Sequence, residues 1–369
     1  MSRSVPILTI FLLFTSLCVL SLADSPQCLG LVLQGSADKG GYQAGALQGL
    51  LSVLKPEDLQ YDVVSGVSVG AVNAAWVSQF PKGQEEQMIN QLVDFWLNLK
   101  TSDVYKQWPG GIVQGLLFEP SIYNTDPGQK MLRQHLTQKA QRFVSLGATN
   151  VDTALYKSFH NFHSDLEADD LVDAVMASYA LPGFFPYKVI NDTAYIDGGA
   201  VMSADVGTVV SKCREITGKN DSAIHIDVIL LTGTHYKPQD VAGYNGIRML
   251  MRTIELMSYH NAISGLVQAQ ESYPNVDFRY VIQPKKTLPD SILPVSFNHQ
   301  DIKQMIKIGA QDAIQQVQMG KGVSAKQAFA EAMELFRGGD LENMKGKLMD
   351  QFVQEFEQLV KENTEKLEI

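Results

Sequence analysis

Residues 61–80 read YDVVSGVSVGAVNAAWVSQF. An apolar run, Tyr61 to Val64, leads into a serine fenced by two glycines, Gly66-Val67-Ser68-Val69-Gly70. A stretch of small residues follows from Ala71 to Phe80 and stops at Pro81. The first run reads as a strand and the last as a helix. GxSxG between a strand and a helix describes a sharp turn that lifts the serine hydroxyl above a sheet. Gly66 and Gly70 then relieve the crowding and let the helix pass close to the strand. The helix N-terminus favours negative charge developing at the serine. Glycine and serine are common in turns, so the pentapeptide alone leaves Ser68 either a nucleophile or a turn residue.

Working outward, the same alternation recurs. Leu29 to Leu33 reads as a strand, Gly35 to Gly41 as a turn and Tyr42 to Leu54 as a helix ending before Pro56. Gln84 to Leu99 has helical periodicity. Arg142 to Ala148 and Tyr156 to Phe162 read as strands, and Ala168 to Ala180 as a helix halted by Pro182. Tyr187 to Ile190 and Ala194 to Ile196 make a hairpin around Asn191-Asp192. Ile224 to Leu231 and Asn275 to Gln283 are further strands. Strands alternating with helices predict an α/β fold with a mainly parallel sheet covered on both faces. Beyond Asn298 the chain reads as helix, with a last helix over Leu341 to Leu367. With no repeats and no convincing linker, residues 24–369 read as a single domain.

The chain has 369 residues and a formal net charge of −10. That balance argues against a nucleic-acid surface. It leaves lipid open, since neutral membranes and micelles offer apolar contacts. Residues 1–23 read as a secretory signal peptide: Arg3, an apolar run from Ile7 to Leu22, and Ser21-Leu22-Ala23 as the processing site. An oxidising compartment permits a disulfide between Cys28 and Cys213; a pair of buried thiols is an equal reading. Asn191-Asp-Thr193 and Asn220-Asp-Ser222 are N-glycosylation sequons. No cluster of His, Cys, Asp or Glu has metal-ligand spacing, so no metal is expected.

A serine nucleophile needs a base. An α/β-hydrolase arrangement builds several strands before its elbow, and here one strand precedes the serine's own. None of His135, His160, His163, His225, His235, His260 and His299 sits in a loop context that marks a base. The other candidate is the carboxylate in Tyr195-Ile196-Asp197-Gly198-Gly199, at a strand's end. Taken alone, Asp-Gly there reads as a simple turn.

The stretch LVLQGSADKGGYQAGAL, residues 31–47, changes that balance. It is a strand, a small-residue turn with a lysine, then a helix, and the N–H groups of such a turn can point at an oxyanion. Here the sequence resembles the patatin-like phospholipases, which carry this element, then GxSxG, then Asp-Gly-Gly or Asp-Gly-Ala. Ser121 to Pro127, SIYNTDP, Ala148-Thr149-Asn150, and Ala177 to Pro186, ASYALPGFFP, match further family segments. The resemblance covers about Leu29 to Val206, in order.

It implies a three-layer α/β/α patatin-like fold with a mainly parallel sheet and a helical C-terminal region near residues 298–369. It also implies a Ser68–Asp197 dyad with no cofactor. Gly35, Ser36, Ala37, Lys39, Gly40 and Val69 would build the oxyanion site, and Gly198 and Gly199 would flank the base. The implied partner is an acyl lipid at a membrane or micelle surface, with no obligate protein partner. The alternative is a catalytically weak or inactive lipid-binding or storage relative. Two departures bear on that choice. Family members read Gly-Gly-Gly in the turn where this chain has Gly35-Ser36-Ala37, so a positive φ there strains the backbone by roughly 1 kcal/mol or more. Asp38 in the same turn adds negative charge beside the expected oxyanion, and after Asp-Gly-Gly, where the family often has Asn and Pro, this chain reads Ala200-Val201-Met202-Ser203-Ala204-Asp205. The segments Trp108 to Phe118 and Met249 to Met257 could line an acyl groove, and plain core packing is the simpler expectation for both.

Overall fold

The computed structural model describes residues 26–161, 167–233, 240–289 and 295–336. The expected signal peptide, and a C-terminal helix from Leu341, lie outside the described residues. In chain order the elements are β1 (Cys28–Leu33), α1 (Gly40–Val53), β2 (Val63–Val67), α2 (Val69–Ser78), α3 (Glu85–Asn98), α4 (Thr101–Val104), β3 (Lys106–Gln107), α5 (Gly111–Leu117), β4 (Tyr123–Asn124), α6 (Asp126–His135), β5 (Phe143–Asn150) and β6 (Tyr156–His160). They continue with α7 (Ala168–Ser178), β7 (Lys188–Ile190), β8 (Thr193–Asp197), α8 (Val206–Ile216), β9 (Ile224–Ile229), α9 (Gly246–Ser272), β10 (Asp277–Ile282), α10 (His299–Met319) and α11 (Val323–Phe336).

The main sheet runs β10-β9-β1-β2-β5-β8-β7, with β6 also on β5. The five strands from β10 to β5 are parallel. Their side chains alternate between two apolar faces. Leu31 and Leu33 of β1 face the layer holding α1, α2, α3 and α10, while Cys28 and Val32 face the layer of α8, α9 and α11. A strand buried on both faces must be apolar throughout, which is why β1 reads CLGLVL.

The antiparallel end places the site. β6 pairs with Ser145 to Thr149 of β5, β2 with Phe143 to Gly147, and β8 with Ala148 to Asn150. A strand has two edges, so β2 and β8 share the edge opposite β6. β2 stops at Val67, opposite Gly147, and β8 arrives from the other direction with Asp197 opposite Ala148. The two strands meet end to end, Ser68 against Asp197.

Helix α1 owes its place to glycines. A Cβ at Gly45 would lie 2.0 Å from Ile306 O, and one at Gly309 would lie 2.1 Å from Tyr42 O. α1 and α10 therefore cross at backbone contact, and Tyr42 OH donates to Asp312 Oδ2 at 3.0 Å across them.

Cys28 and Cys213 form a disulfide, Cα–Cα 5.4 Å, tying β1 to α8. Cross-linking positions so far apart in sequence restricts the unfolded chain. Replacing both by serine is expected to lower the unfolding free energy by roughly 2–4 kcal/mol, read from urea midpoints under non-reducing conditions. Equal midpoints would contradict this.

Two apolar segments depart from expected core packing. In α5 and just after it, Val113, Leu116, Leu117 and Phe118 are exposed, Phe118 by 79%. In α9, Met249, Leu250 and Met257 are also exposed. Apolar composition called for burial, but among the described residues α5 packs through Gly115 on Ile122 O and leaves Val113, Leu116 and Leu117 uncovered.

Candidate active site

Ser68 occupies the turn between β2 and α2, with φ 54° and ψ −124°. A non-glycine residue holds such a conformation only where its surroundings over-determine it. The flanking glycines show how. A Cβ at Gly66 would lie 2.2 Å from Gly70 O, and one at Gly70 would lie 2.3 Å from Leu33 O. Helix α2 thus begins pressed against its own strand and against the end of β1.

Ser68 Oγ donates to Asp197 Oδ2 at 2.6 Å. The other carboxylate oxygen, Oδ1, accepts the Gly199 N–H at 2.7 Å. The backbone of Asp197 is held by its own N–H on Ala180 O and by Thr149 Oγ1 on its carbonyl. Gly198 lies so close to β5 that a Cβ would sit 2.4 Å from Gly147 O. Burial pushes the Asp197 carboxyl up from 3.8 to about 6, against the opposing pull of the hydrogen bonds from Ser68 and Gly199. A carboxylate with raised proton affinity, at short range from a serine hydroxyl, is poised to act as a base near neutral pH.

The expected oxyanion residues divide. The Gly35 N–H donates to Ser203 O at 2.9 Å, so Gly35 has no donor to offer. Its own role is spatial: a Cβ there would lie 2.8 Å from Ser68 Cβ. The Lys39 N–H donates to Ser36 O, and its ammonium lies 4.0 Å from Asp38 Oδ1. Gly40 is packed under the Trp96 ring and its carbonyl accepts from Asn73. Ser36 is buried beside the turn. Ala37 and Val69 remain. Both line the cavity that contains Ser68 and Asp197, and Val69 is the first residue of α2, where an N–H has no intrahelical acceptor.

Ala37 also carries the strain, with φ 42°. Ala37→Gly is expected to stabilise the protein slightly, by less than about 1 kcal/mol, because glycine's greater unfolded freedom offsets part of the relief. Ala37→Val, β-branched, should lose roughly 1–3 kcal/mol. Urea midpoints that are equal for all three proteins would show that the turn is unstrained.

One residue has a role that its sequence does not advertise. Ser178, at the end of α7, accepts the Ser68 N–H at 2.8 Å and donates to Gly147 O at 2.6 Å. It locks the elbow onto β5 and takes up the serine's own N–H. Helix α9 buttresses the other side: Asn261 Nδ2 donates to Gly199 O, and Ser258 Oγ to Gly35 O.

The rest of the cavity wall is apolar, with Val72, Phe95, Leu99, Leu132 and Phe185 among its residues. Among the described residues no histidine lines it. His225 pairs with Asp277, and His163 and His235 lie outside the described residues. Asn191 is exposed at the β7–β8 turn, where it and Asp192 both have positive φ, and Asn220 is exposed after α8.

Known proteins bear on this arrangement in two ways. A family model described as patatin-like phospholipase matches residues 31–209. Among solved structures, the crystal structure of VipD from Legionella pneumophila is 13% identical, with a TM-score of 0.37, and the alignment covers 81% of this chain and 68% of that one. No curated protein sequence matches the chain. The matched segment runs from β1 into α8 and includes Ser68, Asp197 and both turns that face them; over residues 31–209 the chain carries a patatin-like phospholipase domain.

Proposed function

We propose that this protein is a serine lipid acyl hydrolase working through a Ser68–Asp197 dyad. The observation that carries the reading is the 2.6 Å hydrogen bond from Ser68 Oγ to a buried Asp197, at the wall of an apolar cavity. Ser68 Oγ attacks the acyl carbonyl while Asp197 takes the hydroxyl proton. The N–H groups of Ala37 and Val69 receive the oxyanion, supported by the N-terminus of α2. Asp197 then returns the proton to the leaving alcohol, leaving an acyl-serine. Water, deprotonated by the same carboxylate, releases the fatty acid.

The substrate class is an acyl lipid: phospholipid, lysophospholipid or acylglycerol. The apolar wall of Val72, Phe95, Trp96 and Leu99 suits an acyl chain. The exposed side chains of Val113, Leu116, Leu117 and Phe118 support an encounter at a membrane or micelle surface. The Cys28–Cys213 bond and the exposed sequons support passage through the secretory pathway, with glycans at Asn191 and Asn220.

Fatty-acid release from phosphatidylcholine and monoacylglycerol in mixed micelles tests the reading. Wild type should release fatty acid from at least one, and Ser68→Ala from neither. Binding of micelles with no release by wild type would mark a lipid-binding relative instead.

A further inference from the structure

Asp38 lies in the turn between β1 and α1. It is buried, and Oδ2 accepts the Ser296 N–H at 3.1 Å. The residues on either side of Ser296, Val295 and Phe297, are buried and line the cavity. All three are held by side chains from elsewhere. Tyr105 OH donates to Val295 O at 2.6 Å, and Thr101 Oγ1 accepts the Phe297 N–H at 2.9 Å. The Tyr105 phenol is pushed up to about 12, by burial first and then by Tyr123 and Asp38. Phe297 also meets Trp96, ring centroids 6.1 Å apart, and Trp96 in turn covers Gly40. The strap Val295–Phe297, the Trp96 ring and the turn from Gly35 to Gly40 form one continuous wall.

In that wall Asp38 ties the strap directly to the turn, and its neighbour Ala37 lines the cavity. We propose that Asp38 is a positioning residue that couples filling of the acyl cavity to alignment of the Ala37 N–H, so that long acyl chains raise the turnover rate as well as the affinity. The inference rests on the hydrolase reading above. An acyl chain long enough to reach Val295 and Phe297 presses the strap outward. The Ser296–Asp38 hydrogen bond passes that load to the strained Ala37 peptide and seats it. A short chain leaves the strap untouched and the turn less well aligned. Binding energy from a remote part of the substrate is thereby used at the reacting centre.

The test compares kcat and KM for p-nitrophenyl butyrate and p-nitrophenyl palmitate. The proteins are wild type, Asp38→Ala, Asp38→Asn and Tyr105→Phe, each checked by melting temperature. In wild type, kcat should be higher for palmitate than for butyrate. Asp38→Ala should reduce the palmitate-to-butyrate kcat ratio roughly tenfold, the scale of one hydrogen bond to a charged group. Asp38→Asn keeps an acceptor for Ser296 and should restore most of the ratio. Tyr105→Phe frees the strap without altering the turn and should also lower the ratio, which covers the case in which Asp38→Ala does not fold. Equal kcat for the two esters in wild type, an unchanged ratio in Tyr105→Phe, or an Asp38→Asn as impaired as Asp38→Ala overturns the coupling. A wild type that turns over neither ester overturns the hydrolase reading, and the coupling with it.

Discussion

Ser68→Ala is expected to lower kcat/KM for acyl esters by roughly 10³-fold or more while the protein remains folded, because removing a nucleophile forfeits the covalent route altogether. The substitution is well suited to the test. Ser68 is buried and its φ of 54° is imposed by the flanking elements, so alanine bears the same backbone strain as serine. The Ser68 N–H still meets Ser178 Oγ, which preserves the elbow. Asp197 loses the hydrogen bond that lowers its proton affinity, so its carboxyl should move further up and the variant should be less stable above about pH 6 than below it. Activity measured against a mock purification separates a residual rate from a contaminant. A Ser68→Ala protein within tenfold of wild type would remove Ser68 from the chemistry.

Asp197→Asn should combine a loss of activity with a gain in stability, a pairing that few other roles produce. The amide cannot take the serine proton, and since replacing a carboxylate that only orients a base costs roughly 10⁴-fold, a fall of at least about 10³- to 10⁴-fold is expected for the base itself. It still fits: its oxygen can accept from Gly199 N–H, and its NH₂ can donate to Ser68 Oγ. The sign of the stability effect follows from burial. The carboxyl is raised in the folded state from 3.8 to about 6. Its contribution is therefore full below the unfolded value and is lost as pH rises through about 6, a loss of about 3 kcal/mol. Asparagine carries no charge to bury. Above about pH 7 the variant should be the more stable protein by up to that amount, and near pH 4 the two should converge. Melting temperatures across this range decide it. A variant that is less stable at every pH would mean that the folded protein does not hold Asp197 as a strained, desolvated carboxylate. Natural active sites commonly give up stability in this way.

The main-sheet strands and the helices near Tyr42 to Leu54, Ala71 to Phe80, Gln84 to Leu99 and Ala168 to Ala180 were legible because both faces of the sheet are covered and Pro56, Pro81 and Pro182 mark the breaks; the helices Asp126–His135 and Val206–Ile216 and the full length of Gly246–Ser272 were not. The elbow was legible for a different reason: Gly66 and Gly70 are required by backbone contacts that any larger residue would violate. Partnership across long separations was not legible. Nothing in the turn indicates that Gly35 N–H will be taken by Ser203 O, or that the Asp38 carboxylate will accept from Ser296 N–H. Ser178 lay in a recognised stretch, yet its contact with Ser68 depends on how α7 is stacked over β5. The exposure of α5 was missed because apolar composition reports what a side chain prefers and not whether a neighbour exists to cover it. The glycines of α1 read as helix-weakening in isolation, and only the crossing with α10 explains them.

The central claim is that Asp197 activates Ser68. Its most direct measurement is the rate at which a fluorophosphonate forms an adduct, mapped by peptide mass to its residue, in wild type and Asp197→Asn across pH. The account predicts a single adduct on Ser68 in both proteins. In wild type the rate should rise through a midpoint near the Asp197 value of about 6; in Asp197→Asn it should be slow and without that midpoint. No adduct in wild type, an adduct on another residue, or equal rates in the two proteins would contradict it.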